Sequence, residues 1–516
     1  MSAGDSISFT AQAPGKVLLT GGYLVTEREY DGFVIVSDAS FHTTCAINTA
    51  GPAWTILAKS PQFNWQCVYQ ISERPNGTLC LVRPSSDQSP NRYVEISIVN
   101  ALAFALGGDM DKTRDRLAMG QLVLTIRGDN DFYSQRYRLA QQGQPTTLEA
   151  LKTVEPFAPL LNLQTEGLRK TGLGSSAALT TSVTAAILSC LGAVAVPGSP
   201  GEAYSDESRR VTHNVSQFSH CLAQGRVGSG FDVSSAVHGS HQYRRFSPAA
   251  LTTLLAESAE DDEGFVSPPV ATVFRLLDDH AAWDSEASPV TLPPGISMVL
   301  ADIDAGTNTP SMIGQVNSWR KAVPTESLQL WTDLAAANAK VVAVLDSLNE
   351  RHATDPVEYT AALDVCSTLR SHEWAQALPN SPTAAALVAL AEAGSAVRAF
   401  LRRMGDESGA PIEPRAQTLL IDHTLAQAPG AIFGCVPGAG GFDAVACLCI
   451  GQVGRQNIVN LWESLAAAGD TVTSILCPSP EAETAEVLAQ VRDIVGGLCP
   501  LVSDAGQVGL SLSTVA

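Results

Sequence analysis

The sequence lacks an excess of basic residues. Its 32 lysines and arginines stand against 52 aspartates and glutamates, which gives a formal net charge of −20. Binding to nucleic acid requires a broad basic surface, so nucleic acid is excluded as a general partner, and an anionic ligand must meet a locally basic site. The eleven cysteines contain no Cys-x-x-Cys pair. They are predicted to be buried thiols of a reducing compartment and not disulfides or zinc ligands.

Long uninterrupted apolar runs are also missing. The most apolar stretch, 385–401, contains Glu392 and Arg398 and is judged too polar to span a bilayer. The first residues lack the basic start and apolar core of a secretory signal, and the final STVA is not a peroxisomal Ser-Lys-Leu ending. We therefore expect a cytoplasmic protein that does not bind membranes.

The length of 516 residues, with 45% hydrophobic and 16% charged residues, predicts a folded protein of at least two domains. An acidic, proline-containing segment at 247–269 and a Pro-Pro pair at 293–294 mark a break before the apolar run 296–303. The predicted division is an N-terminal domain at 1–246, a connector at 247–294 and a C-terminal domain at 295–516.

Strand-like and helical segments mix without regular alternation, which favours an α+β fold. Strands are predicted at 14–25 and 32–38. The segments 326–348 and 383–404 have the length and apolar spacing of amphipathic helices. The C-terminal half is thus expected to be rich in helix.

A glycine-rich stretch, RKTGLGSSAA, spans 169–178. The apolar residues after it share one helical face, and Gly192 is a plausible C-cap, so a helix is predicted with Ser175 or Ser176 as N-cap. Exposed amides of the loop and first turn would accept phosphate oxygens, and Arg169 and Lys170 add positive charge. A tight loop with a capping serine explains the pattern almost equally well.

The sequence does not fit either of two standard nucleotide-binding motifs. GLGSSA matches the Gly-x-Gly-x-x-Ala dinucleotide fingerprint, but the preceding QTEGLRKT is polar where a buried strand is required. The Gly15-Lys16 pair is not a Walker A loop, because Thr10 replaces its first glycine and Val17 its final Ser or Thr. A nucleotide site here is therefore of another kind.

Three glycine-rich segments resemble, in order, the signature motifs of the GHMP small-molecule kinases: APGKVLLTGGYLV (13–25), KTGLGSSAA (170–178) and VPGAGGFDAV (436–445). The resemblance implies an α+β, two-domain GHMP kinase fold, with an N-terminal ATP-binding domain and a helix-rich C-terminal domain. Further segments, at 60–63, 228–246, 307–319 and 412–422, resemble the fungal branch of the phosphomevalonate kinases.

That branch implies transfer of the ATP γ-phosphoryl group to mevalonate 5-phosphate, in the isoprenoid and sterol pathway. The implied ligands are small molecules, ATP and mevalonate 5-phosphate, with Mg²⁺. The sequence leaves open a mevalonate kinase or other GHMP kinase, and a catalytically silent sensor of the same fold. Oligomeric state is not fixed by the sequence.

The resemblance also assigns roles to individual residues. Lys16 and Asp232 match the family's catalytic lysine and aspartate, and Ser176 is the magnesium-side hydroxyl. A solvated lysine and a helix cap are the ordinary alternatives for Lys16 and Asp232. The ATP-binding loop comprises Lys170, Thr171, Gly172, Leu173, Gly174, Ser175, Ser176 and Ala177.

Many family members carry a magnesium-binding glutamate about eleven residues before the aspartate, and here that position is Cys221. Direct coordination of the metal by a protein carboxylate is therefore in doubt. His213, Gln217, His220 and Gln224 share one face of the preceding helix, which is predicted to be a solvated polar face. Contact of His220 or Gln224 with magnesium through water is an additional hypothesis.

Four residues are predicted to bind the acceptor substrate: Thr309, Arg244, Gly440 and Gly441. Arg244 and Arg245 would point to opposite faces of a strand, and Thr309 would cap a helix whose first residue is Pro310. Gly438, Gly440 and Gly441 would allow close approach of the backbone to the site. Surface charge, ordinary capping and a structural turn explain these features equally well.

Overall fold

The computed structural model describes residues 7–83, 90–161, 169–197, 204–303, 309–477 and 479–514. Its strands, in chain order, are β1 Ser8–Thr20, β2 Gly32–Asn48, β3 Thr55–Ser60, β4 Trp65–Glu73, β5 Leu79–Val82, β6 Gln121–Gly128, β7 His241–Arg244, β8 Ala259–Asp261, β9 Gly264–Val266, β10 Glu286–Pro289, β11 Ile296–Asp302, β12 Ala431–Cys435, β13 Ala444–Ile450, β14 Cys499–Pro500, β15 Ala505–Gly506 and β16 Ser511–Thr514.

The α-helices are α1 Arg92–Gly108, α2 Met110–Ala118, α3 Arg136–Gln141, α4 Leu148–Lys152, α5 Ser175–Leu191, α6 Asp206–Gln224, α7 Phe231–His238, α8 Thr252–Glu257, α9 Val270–Leu277, α10 Thr309–Ala322, α11 Pro324–Thr354, α12 Pro356–Cys366, α13 Trp374–Ala377, α14 Pro382–Ser408, α15 Arg415–Gln427, α16 Gly451–Ala467, α17 Val472–Leu476 and α18 Ala485–Gly496. This mixture confirms the α+β fold class and the helix-rich C-terminal half.

A twelve-stranded sheet forms the N-terminal half of the structure. Its main order is β10-β7-β2-β6-β3-β4-β5-β9-β8, and β2 also pairs with β1 and β15. A second sheet, in the order β12-β13-β11-β14, belongs to the C-terminal half. Helices α1, α5, α6 and α7 pack together beside the large sheet, with α5 and α7 contacting β1 and β2.

The two sheets do not correspond to two consecutive segments of the chain. The predicted connector, 247–294, supplies β8, β9 and β10 to the large sheet, and its helix α9 packs against α1. Near the other end, β15 pairs with β2 and β16 pairs with β1. The N-terminal sheet is thus completed by residues that follow the C-terminal sheet in the chain.

The predicted helices at 326–348 and 383–404 are present as the longer α11 and α14. The first predicted strand ends earlier than expected, at Thr20 and not residue 25. Gly21 and Gly22 adopt φ values of +115° and +38°, which end the extended conformation, and a short 3₁₀ turn follows at Leu24–Thr26. All eleven cysteines are buried free thiols, as predicted.

By length and composition, α14 is apolar enough to cross a membrane, contrary to the expectation for 385–401. In the structure, however, Leu387 and Leu390 are buried in the hydrophobic core. Arg398, on the same helix, forms a buried two-bond ion pair with Glu413 at 2.6 and 3.1 Å. These contacts make α14 a packed helix within the fold.

Candidate active site

Lys16 is positioned by an irregularity in β1. The register between β1 and β2 shifts between Pro14 and Lys16, and such a bulge re-aims the side chain that follows it. Gly15 fits only as glycine, because an added Cβ would lie 2.8 Å from Ser37 Oγ and 3.0 Å from the Leu173 carbonyl oxygen. The Lys16 amide donates to that carbonyl at 2.8 Å, so β1 is joined to the predicted ATP loop.

The ATP loop turns through two left-handed glycines, Gly172 and Gly174, at φ +80° and +79°. Helix α5 begins at Ser175 and ends with Gly192 as C-cap, as predicted. The predicted serine cap is wrong: Gly174 is the N-cap, and no side chain caps the helix. The first turn therefore presents backbone amides without a side-chain oxygen, which is the arrangement that binds phosphate at a helix start.

A second glycine-capped helix begins nearby. Gly230, at φ +89°, is the N-cap of α7, which also lacks a side-chain cap, and Asp232 lies in its first turn. An added Cβ on Gly230 would lie 2.8 Å from Gln217 Oε1, Phe246 and the Tyr243 hydroxyl, so only glycine fits. Asp232 is about one quarter exposed. Two helix starts thus face the same region.

A cavity of about 640 Å³ contains this region. It is lined by Lys16, Gly172, Gly174 and Asp232, together with residues from the C-terminal half of the chain, among them Asp443. The Lys16 ammonium donates to the Gly172 carbonyl oxygen at 2.9 Å and lies 5.6 Å from the centre of the Phe231 ring. Burial lowers the pKa of Lys16, while Asp232 and Asp443 oppose that shift by favouring the charged ammonium.

Ser176 contacts α6 and not its own helix start. Its hydroxyl lies 3.1 Å from His220 Nε2, and His220 Nδ1 lies 2.7 Å from Gln224 Nε2. His220 Nε2 is also 3.8 Å from the Asp232 carboxylate. Burial lowers the pKa of His220, opposed by Asp232. Tyr93, from the start of α1, stacks at a tilt 5.8 Å from the His220 ring.

The prediction of a solvated polar face on α6 is wrong. His213, Gln217 and His220 are at most 3% exposed, because α6 is enclosed by α1, α5 and α7. Cys221, at the position of the family's glutamate, is fully buried and accepts a hydrogen bond from Gln217 Nε2 at 3.2 Å. The cavity is lined by His220 and Gln224, one on each side of Cys221 in the sequence.

The remaining loop residues have mixed positions. Lys170 is exposed, and its backbone forms an isolated antiparallel β-bridge with Tyr133. The neighbouring Arg169 is exposed as well. Thr171 is buried and donates through its hydroxyl to the Asp131 carbonyl. Ser175 and Ala177 are buried in the first turn of α5. Their predicted contact with ATP remains a prediction.

Among the predicted acceptor residues, Thr309 and Gly440 line the cavity, and α10 begins at Thr309. Only glycine fits at position 440, because φ is +84° and an added Cβ would lie 2.1 Å from the Ile412 carbonyl oxygen. The Gly441 amide donates to that same carbonyl at 3.0 Å. Arg244 is not brought to the cavity: it pairs with Asp31 at 3.0 Å and Glu286 at 3.2 Å, outside it.

Arg245 lines the cavity in place of Arg244. It donates to the carbonyl oxygens of Thr26 at 2.5 Å and Gly228 at 2.8 Å, which hold it between the β1–β2 connection and the loop before α7. The sequence predicted opposite directions for these neighbouring arginines but did not say which one faces the site.

Two features of the cavity were missed from the sequence. Asp443 is the acidic residue of the third glycine-rich segment and lines the cavity, but the glycine pattern of that segment does not predict a role for it. Arg320 of α10 pairs with Glu27 and stacks 4.0 Å from the Trp331 ring, and both Arg320 and Glu27 line the cavity. No motif signalled this pair, because its members lie 293 positions apart.

No family model matches the chain. The chain is 36% identical over 482 residues to the peroxisomal phosphomevalonate kinase of Arabidopsis thaliana, across 89% of this chain and 93% of that protein. It is 32% identical over 507 residues to the phosphomevalonate kinase of Gibberella zeae, across 95% and 98%. Its fold is similar to that of Streptococcus pneumoniae phosphomevalonate kinase in complex with phosphomevalonate and AMPPNP, with a TM-score of 0.53, 15% identity, and coverage of 88% and 96%.

The fold is that of the GHMP kinases. The sequence identities to the Arabidopsis and Gibberella proteins extend over most of the chain and identify one family within this class of kinases. The chain belongs to the phosphomevalonate kinase family.

Proposed function

We propose that this protein transfers the γ-phosphoryl group of ATP to mevalonate 5-phosphate, which yields mevalonate 5-diphosphate and ADP. Family membership supports the reaction. The observation that carries the proposal is the meeting of two glycine-capped helix starts and Lys16 at one cavity. Both substrates are phosphate anions, and this acidic protein concentrates amides and cations where they would meet.

On the nucleotide side, the amides after Gly172 and Gly174 would bind ATP phosphates. The helix dipole of α5 favours negative charge at this end, and no side-chain cap competes for the first-turn amides. Ser176 and Asp443 offer oxygen atoms, the hard donors that Mg²⁺ prefers, and Asp232 would orient a water bound to the metal. When bound, magnesium offsets the charge on the phosphate oxygens.

Lys16 would reduce the repulsion between the two anionic reactants. Its ammonium is fixed by Gly172 and flanked by the charges of Asp232 and Asp443, so it is oriented before substrates bind. A phosphate monoester has a second pKa of about 6, so the acceptor is already largely ionised at neutral pH. Asp232 therefore has little proton to remove, and its proposed role is to orient Lys16 or a metal-bound water.

On the acceptor side, we assign Arg245, Thr309 and Gly440 to mevalonate 5-phosphate, because all three line the cavity. The acceptor carries a phosphate at one end and a carboxylate at the other, and the cavity offers separate cations to these groups. Arg320, held by Glu27 and Trp331, is a second cationic contact. Arg244 is omitted from this assignment.

The test is ADP release by the purified protein with MgATP, comparing mevalonate 5-phosphate with mevalonate. Release with the phosphorylated acceptor alone is expected. Release with mevalonate would instead indicate a mevalonate kinase, and no release with either acceptor would favour a catalytically silent sensor. For Asp232→Asn, a steep loss that persists at pH 8 would exclude proton removal as its role, whereas a loss confined to lower pH would contradict the orienting role.

We also propose a cytoplasmic location, on the basis of the sequence, and a role in isoprenoid and sterol supply, on the basis of the family. The Arabidopsis relative is named as peroxisomal, so the alternative location is the peroxisome. Fractionation of source cells, with immunodetection of the native protein, tests the cytoplasmic assignment. Recovery in a peroxisomal fraction would overturn it.

A further inference from the structure

The side chain of His220 lines the cavity and lies beside three other polar side chains. It is 1% exposed, lies on α6, and is placed between Gln224 of the same helix and Ser176 at the start of α5. The Asp232 carboxylate is the third neighbour, at 3.8 Å from Nε2. The roles proposed for Lys16 and Asp232 do not explain why the His220 ring lies between Gln224 and Ser176.

The direction of each hydrogen bond follows from the contacts. Gln224 Nε2 lies 2.7 Å from His220 Nδ1 and 3.3 Å from the His220 carbonyl oxygen. A carbonyl oxygen can only accept, so the Gln224 atom at this position is the amide nitrogen, and it donates to Nδ1 as well. Nδ1 is therefore an acceptor, and the proton of the ring is on Nε2. Nε2 then donates to the Ser176 hydroxyl oxygen.

We propose that His220 and Gln224 are positioning residues that fix the orientation of the Ser176 hydroxyl for the nucleotide and its metal. Because Ser176 accepts from His220 Nε2, its hydroxyl cannot donate to that nitrogen, and its proton and second lone pair are left for other partners, of which the Tyr93 hydroxyl is one. Gln224 acts one step further out by selecting the ring tautomer. The inference rests on the proposed function through the role of Ser176.

This arrangement differs from a metal site built on a carboxylate at residue 221. Cys221 is buried and bonded to Gln217, so α6 offers the cavity an uncharged donor at 220 instead. Partners that orient a metal-facing ligand typically change metal affinity or activity by about 10- to 100-fold when removed. The size of this effect makes the proposal measurable.

The first test compares two amide substitutions of one side chain. In His220→Gln the amide reaches the position of Nε2 and can still donate to Ser176, whereas in His220→Asn it reaches only the position of Nδ1. We expect kcat/KM for MgATP to fall about tenfold or more in His220→Asn and to stay within about threefold of wild type in His220→Gln. Thermal unfolding identifies any folding defect. Equal losses in two folded variants would indicate a packing role and overturn the proposal.

A second test asks whether His220 acts through Ser176. In a Ser176→Ala background, His220→Asn is expected to cause less than a twofold further loss, because the bond it removes is already absent. If the fold losses in kcat/KM of the two single variants multiply in the double variant, the two residues act independently and the proposal is overturned.

A binding measurement separates this inference from the proposed reaction. Calorimetric titration with ADP, with and without Mg²⁺, gives the magnesium-dependent gain in affinity. We expect His220→Asn to reduce that gain about tenfold and His220→Gln to preserve it. If the wild type binds Mg-ADP but releases no ADP with mevalonate 5-phosphate, the proposed function fails while this comparison still decides the inference. An unchanged gain in His220→Asn or in Ser176→Ala would refute it.

Discussion

The Lys16 ammonium donates a hydrogen bond to the Gly172 carbonyl oxygen at 2.9 Å, across 156 positions of the chain. The same pair of segments is joined by the backbone bond from Lys16 to Leu173. Strand β1 and the loop before α5 are thereby fixed against each other, with the cation beside the amides that start the helix. This relationship leads to the first two predictions.

Replacing Lys16 with methionine removes the charge but keeps the aliphatic stem. We expect kcat to fall by about 10²- to 10³-fold, the cost of losing one oriented charge-stabilising group. Lys112→Met is the matched control, because Lys112 donates to the Gly192 carbonyl at the opposite end of α5 at 2.6 Å. That variant should keep wild-type kcat in the ADP-release assay. Similar losses in both variants would mean that Lys16 acts only by holding the helix.

Gly174→Ala tests the fit between the loop and Lys16. An added Cβ would lie 2.8 Å from Lys16 Cε, at a φ of +79° that disfavours alanine. We expect the free energy of unfolding to fall by about 1–2 kcal/mol from backbone strain and kcat to fall at least tenfold from displacement of Lys16. Urea unfolding and steady-state kinetics measure the two effects.

Gly409→Ala separates strain from displacement. Gly409 has a φ of +74°, and nothing lies within 4 Å of its added Cβ. This variant should lose comparable stability but keep wild-type kcat. A loss of kcat at Gly409, or none at Gly174, would contradict the proposed contact.

Arg245 and Arg244 form a matched pair of neighbouring residues. We expect Arg245→Met to raise the KM for mevalonate 5-phosphate about tenfold, because an anion contact in the cavity is lost. Arg244→Met should change KM less than twofold, since its partners Asp31 and Glu286 lie outside the cavity. Thermal unfolding controls for the structural bonds of Arg245 to Thr26 and Gly228. The reverse order of effects would restore Arg244 as the substrate-binding residue.

Acid is expected to destabilise the protein through buried histidines. Burial lowers the pKa values of His213 and His241 to about 4. Between about pH 6.5 and 4 the unfolded chain binds protons that the folded state excludes, so stability falls as the pH drops. The free energy of unfolding should decrease by roughly 2 kcal/mol per histidine between pH 7 and pH 5.

Urea unfolding at both pH values checks this expectation. His213→Phe should weaken the pH dependence, whereas replacement of His280, which is about two thirds exposed, by asparagine should leave it unchanged. An identical pH dependence in wild type and His213→Phe would rule out His213 as a source.

The sequence predicted the parts of the site that depend on local backbone geometry. Glycines at 172 and 174 indicated a loop and a helix start because few other residues adopt those angles. It did not identify the polar interior. The pattern of His213, Gln217 and His220 is the same whether water or α1 and α5 covers the helix, so burial had to be seen in the fold.

The sequence also could not predict which residues each charged side chain contacts in the fold. Strand alternation separates Arg244 from Arg245, but which one faces the cavity depends on what packs on each side of β7. The Arg320–Glu27 pair depends on contact between α10 and the segment after β1. The glycine cap of α5 was missed for a different reason: serine is a common cap, but here Ser176 bonds to His220 instead.

The pairing of β16 with β1 has a consequence for synthesis of the chain. Gln12 and Ser511 face each other in that ladder, 499 positions apart. On the ribosome, the strand that carries Lys16 is made long before β16, the strand that fills one of its pairing edges. Contacts between residues so distant in sequence form slowly. The nascent protein therefore keeps an open β-edge until β16 has been made, and this edge is the surface where we expect chaperones to be needed.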